Sequence, residues 1–196
     1  MIHVDQASRS YGDFLAVDQV SFDIPAGEVV GLLGHNGAGK TTIMKMLSGY
    51  LEPSGGDISI DGTSLADNPR AVQNILGYLP ESLPIYPDMI VADYLDYAAT
   101  LKGLSGSALR DSVRRAIRDT ELQSKLIEPI NTLSRGYRQR VGVAQAILGS
   151  PRVLILDEPT NGLDPSQTQH MRDLISAIAE TATVILSTHI MQEVDA

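Results

Sequence analysis

Val29-Val30-Gly31-Leu32-Leu33-Gly34-His35-Asn36-Gly37-Ala38-Gly39-Lys40-Thr41-Thr42 reads as a strand, a glycine-rich turn and the opening of a helix. The first five residues are a continuous apolar run, as expected of a parallel strand buried on both faces. Ile43, Met46 and Leu47 then recur at i, i+3 and i+4, and Gly49 offers a C-terminal stop. Between strand and helix, Gly34, Gly39, Lys40 and Thr41 satisfy the pattern of a phosphate-binding loop, or P-loop, in the structural context that the pattern requires. Such glycines let backbone N–H groups close round phosphate oxygens, and the helix N-terminus adds partial positive charge. Lys40 is placed to reach β- and γ-phosphates, and the Thr41 hydroxyl suits an octahedral Mg²⁺. The candidate nucleotide-binding residues are therefore Gly34, His35, Asn36, Gly37, Ala38, Gly39, Lys40, Thr41 and Thr42.

A second apolar run, Val153-Leu154-Ile155-Leu156, ends in the adjacent carboxylates Asp157 and Glu158. Strict alternation would point these two side chains apart, but the chain can turn where the strand ends. Paired with the P-loop, Asp157 is the candidate Mg²⁺ ligand and Glu158 the candidate to orient or deprotonate an attacking water. Thr183-Val184-Ile185-Leu186 reads as a third buried strand. Shorter strands are expected at 1–6, 19–24 and 57–61, with turns at Pro25-Ala26-Gly27 and Gly55-Gly56-Asp57. Strands are absent from about 87 to 130, where Val91, Tyr94, Leu95 and Ala98, then Leu109, Val113 and Ile117, keep helical spacing. An inserted helical subdomain is expected there, with Arg114, Arg115 and Arg118 on a solvated face. The expected fold is α/β: a mainly parallel sheet on a P-loop core, antiparallel strands at the N-terminus, and the insert, all within one domain over 1–196.

Composition narrows the partners. The 196 residues carry 15 Lys plus Arg against 24 Asp plus Glu, a net charge of −9, which disfavours broad binding to nucleic acid or anionic membranes. With zero Cys there is no disulfide framework, thiolate zinc site or Cys nucleophile. The N-terminal residues lack the pattern of a signal peptide, and no run approaches the roughly 20 apolar residues of a membrane helix. A cytoplasmic location is expected, with any membrane role exercised through a partner.

The segment Leu133-Ser134-Arg135-Gly136-Tyr137-Arg138-Gln139-Arg140 resembles the signature motif of ATP-binding cassette (ABC) transporter ATPases, usually Leu-Ser-Gly-Gly-Gln. It departs from that form at Arg135 and Tyr137, and in doing so is similar to a prokaryotic exporter branch that includes gliding-motility, drug and polysaccharide exporters. Ser134 is expected to cap the helix that continues through Val141, Val143, Ala144 and Ile147. The resemblance covers nearly the whole chain. It implies that Tyr11 stacks on adenine, that Asn161-Gly162-Leu163-Asp164 crosses to a partner subunit, and that His189 contacts the γ-phosphate as part of the catalytic set with Glu158 and Lys40. It implies a head-to-tail dimer, homo- or heteromeric, with two ATP molecules between subunits. In each site one subunit supplies Tyr11, the P-loop, Glu81, Asp157, Glu158 and His189, and the other supplies Leu133, Ser134, Arg135, Gly136 and Tyr137. A separate membrane-spanning permease then docks on the helical subdomain and the Glu81 region, at the inner face of the membrane, while the cargo is left open.

Two further departures stand out. Glu81, in Leu76-Gly77-Tyr78-Leu79-Pro80-Glu81, replaces the family's usual Gln. It can still contact Mg²⁺ or water, with added negative charge near phosphate. The family also continues past the histidine with more strands and helices, so the C-terminal end of the usual domain is expected to be truncated. The competing expectations are a soluble cassette ATPase acting on ribosomes or DNA, and a nucleotide-dependent regulator without turnover. A single P-loop, the acidic charge and the absence of heptads weigh against the first, and Glu158 with His189 against the second.

Overall fold

The computed structural model of the chain describes residues 2–188. Four strands, β1 (Ile2–Tyr11), β2 (Phe14–Ile24), β4 (Gly55–Ile60) and β5 (Thr63–Ser64), form an antiparallel sheet in the order β2-β1-β4-β5. Four others, β3 (Val29–Leu33), β6 (Leu76–Leu79), β7 (Val153–Asp157) and β8 (Thr183–Thr188), form a parallel sheet in the order β3-β8-β7-β6. Among the described residues six α-helices join them: α1 (Lys40–Leu47), α2 (Pro69–Asn74), α3 (Val91–Leu101), α4 (Gly106–Asp119), α5 (Arg135–Ile147) and α6 (Pro165–Ala179).

The apolar runs of β7 and β8 are continuous because both faces of these strands are covered. Val153, Ile155 and Ile185 join a core shared with α1 and the antiparallel sheet, where Met44, Met46, Leu47, Ile2 and Ile60 are buried. Their neighbours Leu154, Leu156, Val184 and Leu186 point the other way, onto Val143 and Ala146 of α5 and Met171 and Ile175 of α6. Each such side chain contributes roughly 1.5–3 kcal/mol when fully buried. A third core belongs to the helical region: Val91, Tyr94 and Leu95 of α3 and Val113 of α4 close on Val141 and Ala144 of α5. The 87–130 stretch thus holds α3 and α4, while α5, outside it, supplies the third wall of their core.

Three expectations are corrected. The β3 run is parallel, as expected, but is not buried on both faces. Among the described residues β8 is its one paired neighbour, and Val29 and Leu33 remain 51% and 45% exposed. The N-terminal strands are longer than read, because bulges at Gln6 and Gln19, both at positive φ, interrupt the alternation without ending the strand. Gly55-Gly56-Asp57 opens β4 and is no turn. At Gly56 (φ 78°) a Cβ would collide with the carbonyl oxygens of Asp5 and Gln6, so these glycines serve a close strand approach at the β1 bulge.

Candidate active site

The P-loop runs from the end of β3 into α1. Gly39 caps α1 at φ 87° with no side-chain cap bond, and a Cβ there would lie 2.7 Å from the Ala16 carbonyl oxygen of β2. Only glycine fits a left-handed position pressed against another strand. The same contact draws the β1–β2 hairpin to the loop. The hairpin's end carries Tyr11, paired with Phe14, 46% exposed and with the Arg9 guanidinium 5.1 Å from its ring centre. Residues His35, Asn36, Gly37 and Ala38 are exposed, whereas Lys40 is buried and its ammonium donates to the carbonyls of Gly34 (2.6 Å) and His35 (3.2 Å). The lysine charge is thereby held inside the curve of the loop. Thr41 and Thr42 follow in the first turn of α1, half-buried.

Strand parity places the carboxylate. Asp157 follows Val153 and Ile155 on the face of β7 that α1 covers, the side on which Thr41 opens its helix. It is fully buried. One carboxylate oxygen accepts a 2.5 Å hydrogen bond from Ser187 Oγ, the residue beside it in the β7–β8 register, and the other, Oδ2, has no hydrogen-bond partner. A buried charged oxygen without a partner calls for a cation or an ordered water. Among the described residues no three His, Cys, Asp or Glu side chains gather, so a divalent ion would be completed by phosphate and water oxygens. Thr41 and Asp157 fit the sparse protein ligation that Mg²⁺ accepts beside phosphate.

Glu158 lies where the strand ends, at φ 50°, and its N–H donates to Ser187 Oγ at 2.9 Å. This left-handed step turns the chain as expected, so the two carboxylates are not forced to opposite faces. One serine thus fixes both members of the acidic pair. Ser187 was not among the candidate residues; finding it needs the β7–β8 register, which no local pattern contains. Glu81 is exposed just past β6, two residues beyond Leu79. Tyr78, on the α1-facing side of β6, has a buried hydroxyl without a partner. Burial pushes its pKa up, and the charges of Asp157 and Glu81 add to the effect. His189 lies outside the described residues.

The signature segment stands apart from the loop. Leu133 is buried in the helical core; Ser134 caps α5, its Oγ accepting from the Tyr137 N–H at 3.4 Å. Ser134, Gly136 and Tyr137 line a groove of about 520 Å³ with Asp164, Gln167 and His170, and no P-loop residue lines it. Asp164 caps α6 at 2.9 Å, which fixes the end of the loop that starts at Asn161. Gln167, missed in the sequence reading, packs against Gly136, where a Cβ would lie 2.8 Å from its amide carbon. Arg135 and Tyr137 are exposed and half-buried, respectively. Among the described residues no helix is long and apolar enough to cross a membrane.

Comparison with known proteins agrees with this fold. The ABC transporter family model matches residues 17–161. The Nod factor export ATP-binding protein I of Burkholderia pseudomallei is 39% identical over 99% of this chain and 64% of its own length. The mouse (Mus musculus) ABC-type organic anion transporter ABCA8A is 38% identical over 93% of this chain and 11% of its own. The chain therefore spans less than two thirds of either relative. A solved ATP binding subunit of an ABC transporter has a TM-score of 0.85 at 33% identity, over 98% of this chain and 80% of that one. A dimeric bacterial ABC transporter cassette, at 23% identity and TM-score 0.89 over 100% and 90%, shares the fold. The chain belongs to the ABC transporter family.

Proposed function

We propose that the chain is a single nucleotide-binding domain that couples ATP hydrolysis to export by a separate membrane-spanning permease, working as a head-to-tail dimer at the inner face of the membrane. The observation that carries the reading is Asp157: a buried carboxylate with one unpartnered oxygen, on the face covered by the helix that Lys40 and Thr41 begin. In this reading Gly34 to Thr42 cradle the phosphates, Tyr11 stacks on the base, and Thr41, Asp157 and Glu81 attend the metal. Mg²⁺, when bound, neutralises charge on the phosphate oxygens. Glu158 accepts a proton from water as its oxygen attacks the γ-phosphorus and the bond to the β-phosphate oxygen breaks. His189 contacts the γ-phosphate. Ser134 and Gly136, from α5 of the partner subunit, offer a capped helix N-terminus to the same phosphate. The groove that holds Ser134 and Gly136 excludes the P-loop, which supports a site completed between two copies. Export is favoured because the bacterial relative is named for it.

The test is Glu158→Gln in the full chain. The amide keeps the shape and loses the base, so ATP hydrolysis falls about a hundred- to ten-thousandfold while an ATP-bound dimer accumulates in sedimentation. A variant hydrolysing at the wild-type rate removes Glu158 from this role. Purifying the same variant from gently solubilised cells should bring down a multi-span membrane protein in stoichiometric amount; ribosomal or DNA-repair proteins in its place would overturn the permease reading.

A further inference from the structure

The two residues that set this signature apart, Arg135 and Tyr137, both make contacts that the usual Gly and Gln forms lack. Arg135 is the first residue of α5, where a cation opposes the helix dipole. Its side chain makes no hydrogen bond or ion pair among the described residues, and its guanidinium lies on Gly162. A Cβ at Gly162 would collide with the guanidinium carbon and with both terminal nitrogens of Arg135. Gly162 itself is at φ 69°, in the middle of the Asn161–Asp164 loop. A planar, delocalised guanidinium can lie flat on a bare peptide in this way, which an ammonium cannot. Two residues on, the Tyr137 ring has Lys125 Nζ at 5.2 Å and Arg140 Cζ at 5.9 Å from its centre. Both cations are themselves anchored, Lys125 to Glu128 at 2.8 Å and Arg140 to Glu121 at 2.6 Å. The start of α5 is therefore gripped from the loop on one side and from the helical region on the other.

We propose that Arg135 is a positioning residue: by packing on Gly162 it joins the signature to the Asn161–Asp164 loop of its own subunit, so that the two segments facing the partner subunit move as one body. The inference rests on the proposed dimer. If both segments travel together, engagement of one site carries the loop that serves the other, and the two ATP sites close cooperatively. Tyr137 extends the same body to the helical region on which a permease would dock.

The experiment compares wild type, Arg135→Gly, Arg135→Lys, Gly162→Ala and the Arg135→Gly/Gly162→Ala double variant. Each is measured for ATP-driven dimerisation in a Glu158→Gln background and for the Hill coefficient of hydrolysis without it. Thermal midpoint and ATP affinity of the monomer serve as controls for folding and for the P-loop. Arg135→Gly should weaken the dimer about tenfold and bring the Hill coefficient toward 1. Gly162→Ala should do the same, the double variant should be no worse than either, and Arg135→Lys should fail to restore wild-type behaviour. Additive effects of the two single variants, or full activity in Arg135→Lys, would mean that the charge acts alone and would overturn the inference. Should Gly162→Ala fail to fold, Arg135→Gly and Arg135→Lys decide the matter between them. A wild-type chain that neither dimerises with ATP nor hydrolyses it overturns the proposed function as well, and is thereby told apart from failure of the coupling alone.

Discussion

The P-loop and the signature segment are both glycine-bearing turns that feed a helix, yet they are held by different means. The P-loop is held from within its own turn and by the strands beside it. Gly39 presses on the Ala16 carbonyl, Lys40 bonds two carbonyls of its own loop, and β3 is hydrogen-bonded along its length to β8. The signature is fixed by long side chains that reach between elements: Gln167 of α6 on Gly136, Arg135 on Gly162, Lys125 and Arg140 about Tyr137. Joints of the first kind are stiff and local. Those of the second kind cost side-chain entropy to hold and can be remade in another arrangement. On the proposed function, a chain that grips nucleotide in every turnover and meets a partner in only part of it has reason to be built this way.

The sharpest way to break the comparison lies at the seam between the two halves. At Gly77 in β6 a Cβ would run into the Ala146 carbonyl oxygen of α5, so the helix that carries the signature rests directly on the strand that leads to Glu81. Gly77→Ala forces α5 away from β6, and the obstacle is backbone rather than a movable side-chain end. The expected loss is about 3 kcal/mol of unfolding free energy by denaturant titration, at the upper end for overpacking. An unchanged midpoint would mean that α5 can shift without cost, and that the seam is as adjustable as the signature itself.

The same division decides how much the sequence could reveal. The strand–turn–helix of the P-loop, the turn at the acidic pair and the cap at Ser134 are legible because each is a contiguous stretch whose local geometry follows from its own residues. Strand β3 escapes the sequence pattern because continuity of apolar residues reports potential burial, whereas actual burial depends on neighbours remote in sequence, of which β8 is the one paired among the described residues. Gly55 and Gly56 read as a turn in sequence because glycine marks both turns and close approaches, and only the bulge at Gln6 tells them apart. Ser187, Gln167 and the Arg135–Gly162 contact were out of reach for a related reason. Each joins residues of separate elements, and the pairing exists only once β7, β8, α5 and α6 are placed. The departures at Arg135 and Tyr137 were visible as oddities, but not what they touch.

A smaller effect is expected at Lys102, just past α3, whose Nζ donates to the carbonyls of Leu148 (2.8 Å), Ala146 (3.3 Å) and Leu76 (3.4 Å). It joins the helical region to the parallel sheet by one side chain. Lys102→Met leaves those carbonyls without this donor and should cost about 2 kcal/mol. Burial pushes the lysine pKa down to about 8 from an ordinary 10.5. Below pH 8 folded and unfolded chains both hold the proton. Between pH 8 and 10.5 the unfolded chain keeps it and the folded one releases it, so this group makes stability rise with pH over that window. Wild type should gain on Lys102→Met when unfolding is measured at pH 9.5 rather than 7.5; a gap that narrows would show that the folded state favours the charged amine.

The least effect, and the most direct reading of the comparison, comes from the two helix caps. Asp164 accepts from the Gln167 N–H at 2.9 Å, and Ser134 from the Tyr137 N–H at 3.4 Å, so the cap of α6 is well formed and that of α5 is long. Asp164→Ala should lower stability by about 1 kcal/mol and Ser134→Ala by about 0.5 kcal/mol. The inequality follows from the way the signature is held: side chains from three directions steady the start of α5, so its hydroxyl need not bond tightly to its own helix and can turn toward another acceptor or donor. Equal losses in the two variants would mean that Ser134 is committed to capping. The signature would then be fixed as the P-loop is, from within its own turn, and the contrast between the two segments would disappear.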